Sequence, residues 1–139
     1  MPELIYDPPV NARDARDARE ARGFTQCIAL VERDQSIALA RWHAPREAND
    51  GVMQILDLIV APEHGRKGHG RALLRAAIEQ ASEYFRAREL RLRRVWILVQ
   101  QKQQVIGRAF FTQNGFHHVA TIPDLLRDQD ALVYVRSMD

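Results

Sequence analysis

The segment from 56 to 74, LDLIVAPEHGRKGHGRALL, has the residue types that bind a diphosphate. Its apolar first part ends at Pro62, and a turn rich in glycine and in basic side chains follows, within which a helix is predicted to begin. The glycines and basic residues of this turn are Gly65, Arg66, Lys67, Gly68, Gly70 and Arg71. Glycines let the backbone approach a ligand closely and adopt positive φ. A helix N-terminus adds unpaired N–H groups and the positive end of the helix dipole, so the turn predicts a phosphate site.

Two common diphosphate motifs do not fit this turn. The dinucleotide fingerprint has the spacing G-x-G-x-x-G, whereas the glycines here run G-x-x-G-x-G. The nucleotide P-loop needs a lysine between its last glycine and a Ser or Thr, whereas Lys67 precedes Gly68. On these residues alone, a turn that only tightens a strand-to-helix corner is an equal alternative.

The elements that must position this turn follow from hydrophobic periodicity and turn residues. The run 52–60, VMQILDLIV, is apolar at nearly every position, which predicts a central strand buried on both faces. Apolar residues recur at helical spacing over 68–87, which predicts a helix. We predict further strands over 24–32, 36–42, 93–99, 116–122 and 131–136, and further helices over 12–22 and 103–114. This order of helices and strands predicts an α/β domain with a mixed sheet.

Composition bounds the class of protein. The 139 residues fit a single domain, 1–139. No apolar stretch reaches the ~20 residues of a membrane-spanning helix, and the N-terminus has no secretory pattern. Cys27 is the only cysteine, so no intrachain disulfide can form and a cytoplasmic location is expected. We predict a buried structural thiol at Cys27 rather than a nucleophile.

The charge pattern gives little indication of nucleic-acid binding. The net charge is only +2, and nucleic-acid-binding domains are usually much more basic. Several arginines crowd residues 86–94. A solvated helix end explains them better than a nucleic-acid contact does, because cations are favoured at the C-terminus of a helix.

Residues 58–74 resemble the acetyl-CoA signature of the GNAT superfamily of N-acetyltransferases. That signature reads L-x-V-x-P, three residues, then x-x-G-x-G-x-x-L-L, and the matching residues are Leu58, Val60, Pro62, Gly68, Gly70, Leu73 and Leu74. The later segment 107–116, GRAFFTQNGF, resembles the second signature of the family, an aromatic pair followed three residues on by Gly-Phe. The resemblance covers roughly residues 26–135. It implies a mixed, mostly antiparallel central sheet flanked by helices, with a shortened N-terminal helical region.

The resemblance also implies an activity. Such an acyltransferase moves the acetyl group of acetyl-CoA directly to a primary amine in a ternary complex, without a metal ion or a covalent enzyme intermediate. The strand end would contact the acetyl group and the pantetheine arm through Leu58, Ile59 and Val60, and a backbone N–H there would stabilise the oxyanion. The residues implied to hold the pyrophosphate are Arg66, Lys67, Gly68, His69, Gly70 and Arg71, and Gln104 and Phe111 occupy further cofactor-binding positions.

Four positions depart from the pattern of the family. Gly65 stands where Arg or Gln is usual, and Gln104 stands where Asn is frequent. Phe111 replaces a Tyr proposed to protonate the leaving thiolate, and Gln54 replaces a frequent Glu general base. A thiol with a pKa of ~8.5 leaves tolerably unaided, so Phe111 predicts slower chemistry rather than none. These losses keep open the alternative of a catalytically weak or inactive sensor module that binds acetyl-CoA or CoA.

Asp57 is the candidate for the missing base, because an alkylammonium must lose a proton before it attacks. It is a carboxylate within an otherwise apolar strand, one residue before the acetyl-contacting segment. Burial there would suit it to base work. Its charge could instead bind the incoming cation, or it could bond a backbone group or an arginine structurally.

The acceptor is the part that the residues define least. Only residues 8–23 are available for the helices that shape the acceptor pocket in the family, so we expect a reduced lid and an open groove, with the 44–51 loop as a wall. An open groove suits a peptide amine, whereas Asp57 suits a small cationic amine, and both stay open. The histidines lack metal-ligand spacing, and His43 could line the acceptor side. A homodimer is also left open, and no membrane partner is expected.

Overall fold

The computed structural model describes residues 2–7, 24–45, 50–65, 67–101 and 104–138. These residues form a seven-stranded sheet, two α-helices and a short 3-10 helix. The strands are β1 (Glu3–Asp7), β2 (Phe24–Glu32), β3 (Gln35–Ala44), β4 (Val52–Val60), β5 (Arg94–Gln100), β6 (His117–Leu126) and β7 (Gln129–Ser137). The helices are α1 (His69–Arg86) and α2 (Gln104–Gln113), and the 3-10 helix covers Pro62–His64. The helix predicted over 12–22 lies outside the described residues.

The strands lie in the order β1-β2-β3-β4-β5-β7-β6. Each pair of neighbours is antiparallel except β4 and β5, which are parallel. The parallel pair follows from α1, because a helix that connects two adjacent strands returns the chain to the end of the sheet where it began. The predicted fold class, a mixed and mostly antiparallel sheet flanked by helices, is confirmed.

The strand β1 was missed by the sequence analysis. It has five residues, and it pairs with β2 at the edge of the sheet. Leu4 and Tyr6 pack against the core, while the three residues between and around them are exposed. A strand this short carries too little alternation to be recognised alone. Strand β6 was also predicted too short, since it runs to Leu126.

Both helices pack on one face of the sheet. Buried side chains of α1, α2 and the strands form one apolar cluster. The Trp42 indole Nε1 donates a hydrogen bond to Gln80 Oε1 at 2.8 Å, which ties α1 to β3. We call the opposite face, which no described element covers, the open face. Its side chains include Cys27, Leu39, Arg41, His43, Gln54, Asp57 and Ile59. Neither described helix is long and apolar enough to cross a lipid bilayer.

The central strand β4 is buried on one face only. Met53 and Ile55 are fully buried on the helix-covered face, but Ile59 is 59% exposed on the open face. The prediction that β4 is buried on both faces is therefore wrong for the end of the strand. The reason is that no described element covers the open face there.

Candidate active site

Strands β4 and β5 separate in the middle of the sheet. Their parallel ladder ends at Ile55 and Ile97, although both strands continue beyond these residues. The separation begins at Leu56, where the register between β3 and β4 shifts and β4 has one extra residue. Such a bulge bends a strand and increases its twist. The backbone of residues 57–60 therefore has no ladder partner on β5, and it borders an opening between the two strands.

The glycine-rich turn begins at this opening. The Ala61 N–H donates to Ile37 O at 2.9 Å, so the end of β4 stays attached to β3. Gly68 precedes α1 with a φ of 80°, in the left-handed region that favours glycine. Gly68 has no side chain to cap the helix, and no side chain among the described residues hydrogen-bonds to this end of it. The N–H groups of the first turn of α1 are therefore available to an anion.

The predicted phosphate-binding residues lie around this helix start. Lys67, Gly68 and Arg71 are exposed, and His69 and Gly70 are half-buried. Arg66 lies outside the described residues.

Gly70 has a packing role as well. A Cβ at Gly70 would lie 3.2 Å from Cε2 of Phe110 and 3.7 Å from Cγ2 of Val60. Because contacts near 3.2 Å are tight for a Cβ, Gly70 allows the first turn of α1 to lie close to α2 and to the end of β4.

The aromatic pair of α2 divides between the core and the turn. Phe111 is 6% exposed, and its ring packs against Phe116 and Tyr134 at centroid distances of 5.3 and 6.3 Å. Phe110 is half-buried and lies beside Gly70. The sequence predicted a cofactor position at Phe111 and not at Phe110, because the signature gives the two aromatics without their orientation. Gln104 begins α2, and its side chain lies outside the described part of the chain.

Asp57 forms an ion pair on the open face. Its Oδ2 accepts a hydrogen bond from Arg41 Nε at 2.8 Å and lies 2.7 Å from Arg41 Nη2. The side chain of Asp57 is 35% exposed, and that of Arg41 is 48% exposed. The expected burial of Asp57 is not observed, because the bulge turns it onto the open face beside Arg41. The structure thus shows the arginine contact that the sequence analysis left open as a structural role.

This pair belongs to a polar row across four strands. Asp7, Cys27, Arg41 and Asp57 are successive cross-strand partners and therefore point to the same face. Burial, reinforced by the carboxylates of Asp7 and Asp57 and opposed by Arg41, raises the pKa of the Cys27 thiol. A raised pKa keeps a thiol protonated and poorly nucleophilic, which agrees with the predicted structural role although Cys27 is only half-buried.

His43 lies one row farther along the open face. Its Nδ1 is 2.7 Å from Thr25 Oγ1, and its cross-strand partner on β4 is Gln54. The contact with Thr25 fixes the ring and leaves Nε2 as the nitrogen that could exchange a proton. From the sequence, His43 was expected only to line the acceptor side, because nothing in the sequence brings Thr25 next to it.

This arrangement of strand opening, glycine-capped helix and second helix agrees with a match to a protein family. The model of the Acetyltransferase (GNAT) family matches residues 2–116. The chain belongs to the acetyltransferase (GNAT) family. It is therefore an acyltransferase, as the resemblance of the two signatures predicted. No curated protein matches the chain.

Solved structures of GNAT acetyltransferases share the fold. A putative acetyltransferase of the GNAT family from Desulfovibrio desulfuricans has a TM-score of 0.74 and 17% identity, with 100% of each chain covered. The ribosomal-protein-S18-alanine N-acetyltransferase of Escherichia coli has a TM-score of 0.69 and 16% identity, covering 100% of this chain and 95% of that one. A GNAT family acetyltransferase from Elizabethkingia anophelis, solved with acetyl-CoA bound, has a TM-score of 0.67 and 13% identity, covering 91% and 84%. At such identities the similarity shows the fold alone.

Proposed function

We propose that this chain is an N-acetyltransferase that moves the acetyl group of acetyl-CoA directly to a primary amine in a ternary complex. The observation that carries the proposal is the position of the opening between β4 and β5. The backbone of residues 57–60, which has no ladder partner on β5, leads through the turn to the free N–H groups at the start of α1. One extended ligand, with a thioester at one end and a diphosphate at the other, fits this order of groups.

The cofactor-binding residues are assigned within that frame. Leu58, Ile59 and Val60 would contact the acetyl group and pantetheine arm through their backbone. The diphosphate would lie at the start of α1, where exposed Lys67 and Arg71 add positive charge to the N–H groups. Five further residues are proposed to bind the cofactor because of their positions in the sequence: Arg66, Gly68, His69, Gly70 and Gln104. The relative from Elizabethkingia anophelis that was solved with acetyl-CoA supports the choice of ligand.

The transfer would form a bond between the amine nitrogen and the acetyl carbon and break the carbon–sulfur bond. The thioester oxygen gains negative charge as the amine adds, and we assign its stabilisation to a backbone N–H at the end of β4. CoA leaves as a thiolate and takes a proton from solvent, since Phe111 is buried and has no acidic proton. The products are the amide, free CoA and one proton, and no step needs a metal ion.

Asp57 is our candidate for the group that receives the proton of the acceptor ammonium. Arg41 occupies Oδ2, and no described residue hydrogen-bonds to Oδ1. Asp57 also lies on the open face next to the segment assigned to the acetyl group. An ammonium approaching from that face could therefore meet a carboxylate oxygen directly, which serves both attraction and proton transfer.

His43 is the second candidate for the same proton. The hydrogen bond with Thr25 orients its ring, and imidazole is the side chain that most readily exchanges protons near neutral pH. It lies beside Gln54, whose amide cannot accept a proton at neutral pH. The two candidates differ in which substitution, at Asp57 or at His43, should abolish most of the activity.

The acceptor is a primary amine of a small molecule, an amino acid or a peptide. The Escherichia coli relative acts on the alanine of a ribosomal protein, as its name states, which keeps a peptide among the candidates. The carboxylate of Asp57, which is partly exposed, favours a cationic group in either case. A single domain over 1–139 and a cytoplasmic location complete the proposal, on the sequence grounds given above.

A CoA-binding module without transfer activity is the second candidate function. It is favoured by the buried, hydroxyl-free Phe111 and by Gln54, since neither can move a proton. Calorimetric titration with acetyl-CoA, followed by measurement of CoA release with pooled amines and peptides, separates the two functions. Binding with release supports the enzyme, and binding without release supports the module. Absence of binding would overturn both.

A further inference from the structure

A cavity of about 460 Å³ lies between α1 and the end of α2, beside the turn assigned to the diphosphate. Its charged lining consists of Arg71, Arg75 and Glu79 from α1 and Arg136 from β7. Leu74 and Ile78 form its apolar floor. We call this cavity the arginine groove. It opens on the helix-covered side of the sheet, away from Asp57 and the open face.

The arginine groove has an excess of positive charge. Among the residues that the structure describes, three guanidinium groups line it against the single carboxylate of Glu79. Within the described part of the chain, no hydrogen bond or ion pair satisfies Arg71, Arg75 or Arg136. Guanidinium groups bind phosphate oxygens with paired, charge-assisted hydrogen bonds, and several of them together suit a doubly charged anion.

Arg136 is held in place from one side. A Cβ at Gly115 would lie 3.5 Å from Nε and 3.6 Å from Cδ of Arg136, so the bare backbone of Gly115, with φ 86°, lies against the arginine side chain. Arg136 is half-buried as a result. A purely structural explanation exists, since a cation near the C-terminus of α2 is favoured by the helix dipole. That explanation does not extend to Arg75, which lies on α1 and is exposed.

We propose that the arginine groove binds a phosphate monoester, and that this group is the 3′-phosphate of CoA. Arg71 belongs both to the diphosphate turn and to the groove, and Arg75 lies one helical turn farther, about 6 Å along the axis. A ligand whose diphosphate lies at the start of α1 could therefore place a second phosphate in the groove. The apolar floor of Leu74 and Ile78 would lie beneath the adenosine. This inference rests on the proposed function.

The test compares acetyl-CoA with acetyl-dephospho-CoA, which lacks only the 3′-phosphate. Calorimetry at fixed salt should show that the wild-type protein binds acetyl-CoA about tenfold or more tightly, as one charge-assisted interaction allows. Arg75→Gln and Arg136→Gln should reduce this ratio towards one, mainly by weakening acetyl-CoA binding. Glu79→Gln should increase the ratio, because it removes a carboxylate that lies among the arginines of the lining. Arg127→Gln, in the exposed β6–β7 turn, is the matched control and should leave the ratio unchanged.

Several outcomes would overturn the inference. Equal affinity of the wild-type protein for the two nucleotides would contradict it. An affinity ratio that stays unchanged in both Arg75→Gln and Arg136→Gln would contradict it as well. Inorganic phosphate tests whether the groove binds a separate anion. Suppose that phosphate raises the melting temperature of the wild-type protein but not that of Arg75→Gln, while Arg75→Gln leaves the affinity ratio of the two nucleotides unchanged. The groove would then bind a ligand other than CoA. If Arg136→Gln lowers the melting temperature, the exposed Arg75 still decides the question. If neither nucleotide binds, the proposed function fails and this inference fails with it.

Discussion

Two nitrogens of Arg41 converge on one carboxylate oxygen of Asp57, with Nε at 2.8 Å and Nη2 at 2.7 Å from Oδ2. The contact leaves Oδ1 directed elsewhere and keeps Asp57 fixed on the open face, beside the segment assigned to the acetyl group. A partly exposed pair of this kind contributes about 1 kcal/mol or less to the free energy of unfolding. Its effect on acetyl transfer should therefore be separable from its effect on stability.

Asp57→Asn should lower kcat by about 100-fold or more, as expected for loss of a general base. The shape of the side chain is kept, so the calorimetric affinity for acetyl-CoA should stay within a factor of about two. Arg41→Gln is the matched control, because it breaks the same ion pair and keeps the carboxylate. Should the two variants lose equal activity, the ion pair itself would be required, and Asp57 would not be the base.

His43→Gln distinguishes the second candidate. If Asp57 receives the proton, kcat of His43→Gln should stay well above that of Asp57→Asn. A loss of about 100-fold in His43→Gln alone would transfer the role to His43. Thr25→Val is informative in that case, since it removes the hydrogen bond that orients the ring and keeps its size. The neighbouring Cys27, Arg41 and Asp57 would also influence the pH profile of kcat, because these charged or titratable groups lie on the open face with His43.

The sequence predicted the elements whose pattern is long and regular. The central strand over 52–60 and the helix over 68–87 agree with β4 and α1 to within one residue at each end. The strand is apolar at nearly every position, and the helix has apolar residues at helical spacing. Gly51 and Pro62 flank the strand, and Gly68 precedes the helix. Prolines flank β1 as well, but its five residues are too few to establish a period. Its place in the sheet depends on its pairing with β2.

The candidate site was predictable only where it is local in sequence. The glycine-rich turn is one continuous segment, so its residue types and spacing predicted a phosphate site, with a turn that only tightens the strand-to-helix corner as the equal alternative. The bulge at Leu56 and the Arg41–Asp57 contact depend on the register between β3 and β4, which no local pattern specifies. The arginine groove combines α1, the end of α2 and β7. The residues of such a site are far apart in sequence, so that only the tertiary structure shows that they lie together.

The thiol of Cys27 should react slowly with an alkylating reagent. Burial and the carboxylates of Asp7 and Asp57 raise its pKa, so the thiolate fraction near neutral pH is smaller than for an ordinary cysteine. The alkylation rate, followed by mass spectrometry, should rise in Asp7→Asn and fall in Arg41→Gln, because these substitutions remove opposite charges. Alkylation of the folded protein as fast as that of a free cysteine at the same pH would contradict the protonated, structural thiol.

Gly70→Asp should weaken acetyl-CoA binding strongly, because it places a carboxylate at the helix start where phosphates are expected to approach. A Cβ at this position also lies 3.2 Å from the ring of Phe110, so part of any loss could come from displaced packing. Gly70→Ala is therefore the required control, since it introduces the Cβ without the charge. Calorimetry should show that Asp weakens binding about tenfold or more beyond Ala, the size of a charge-assisted interaction. Equal losses in the two variants would mean that Phe110 packing explains Gly70, and the diphosphate would have to lie elsewhere.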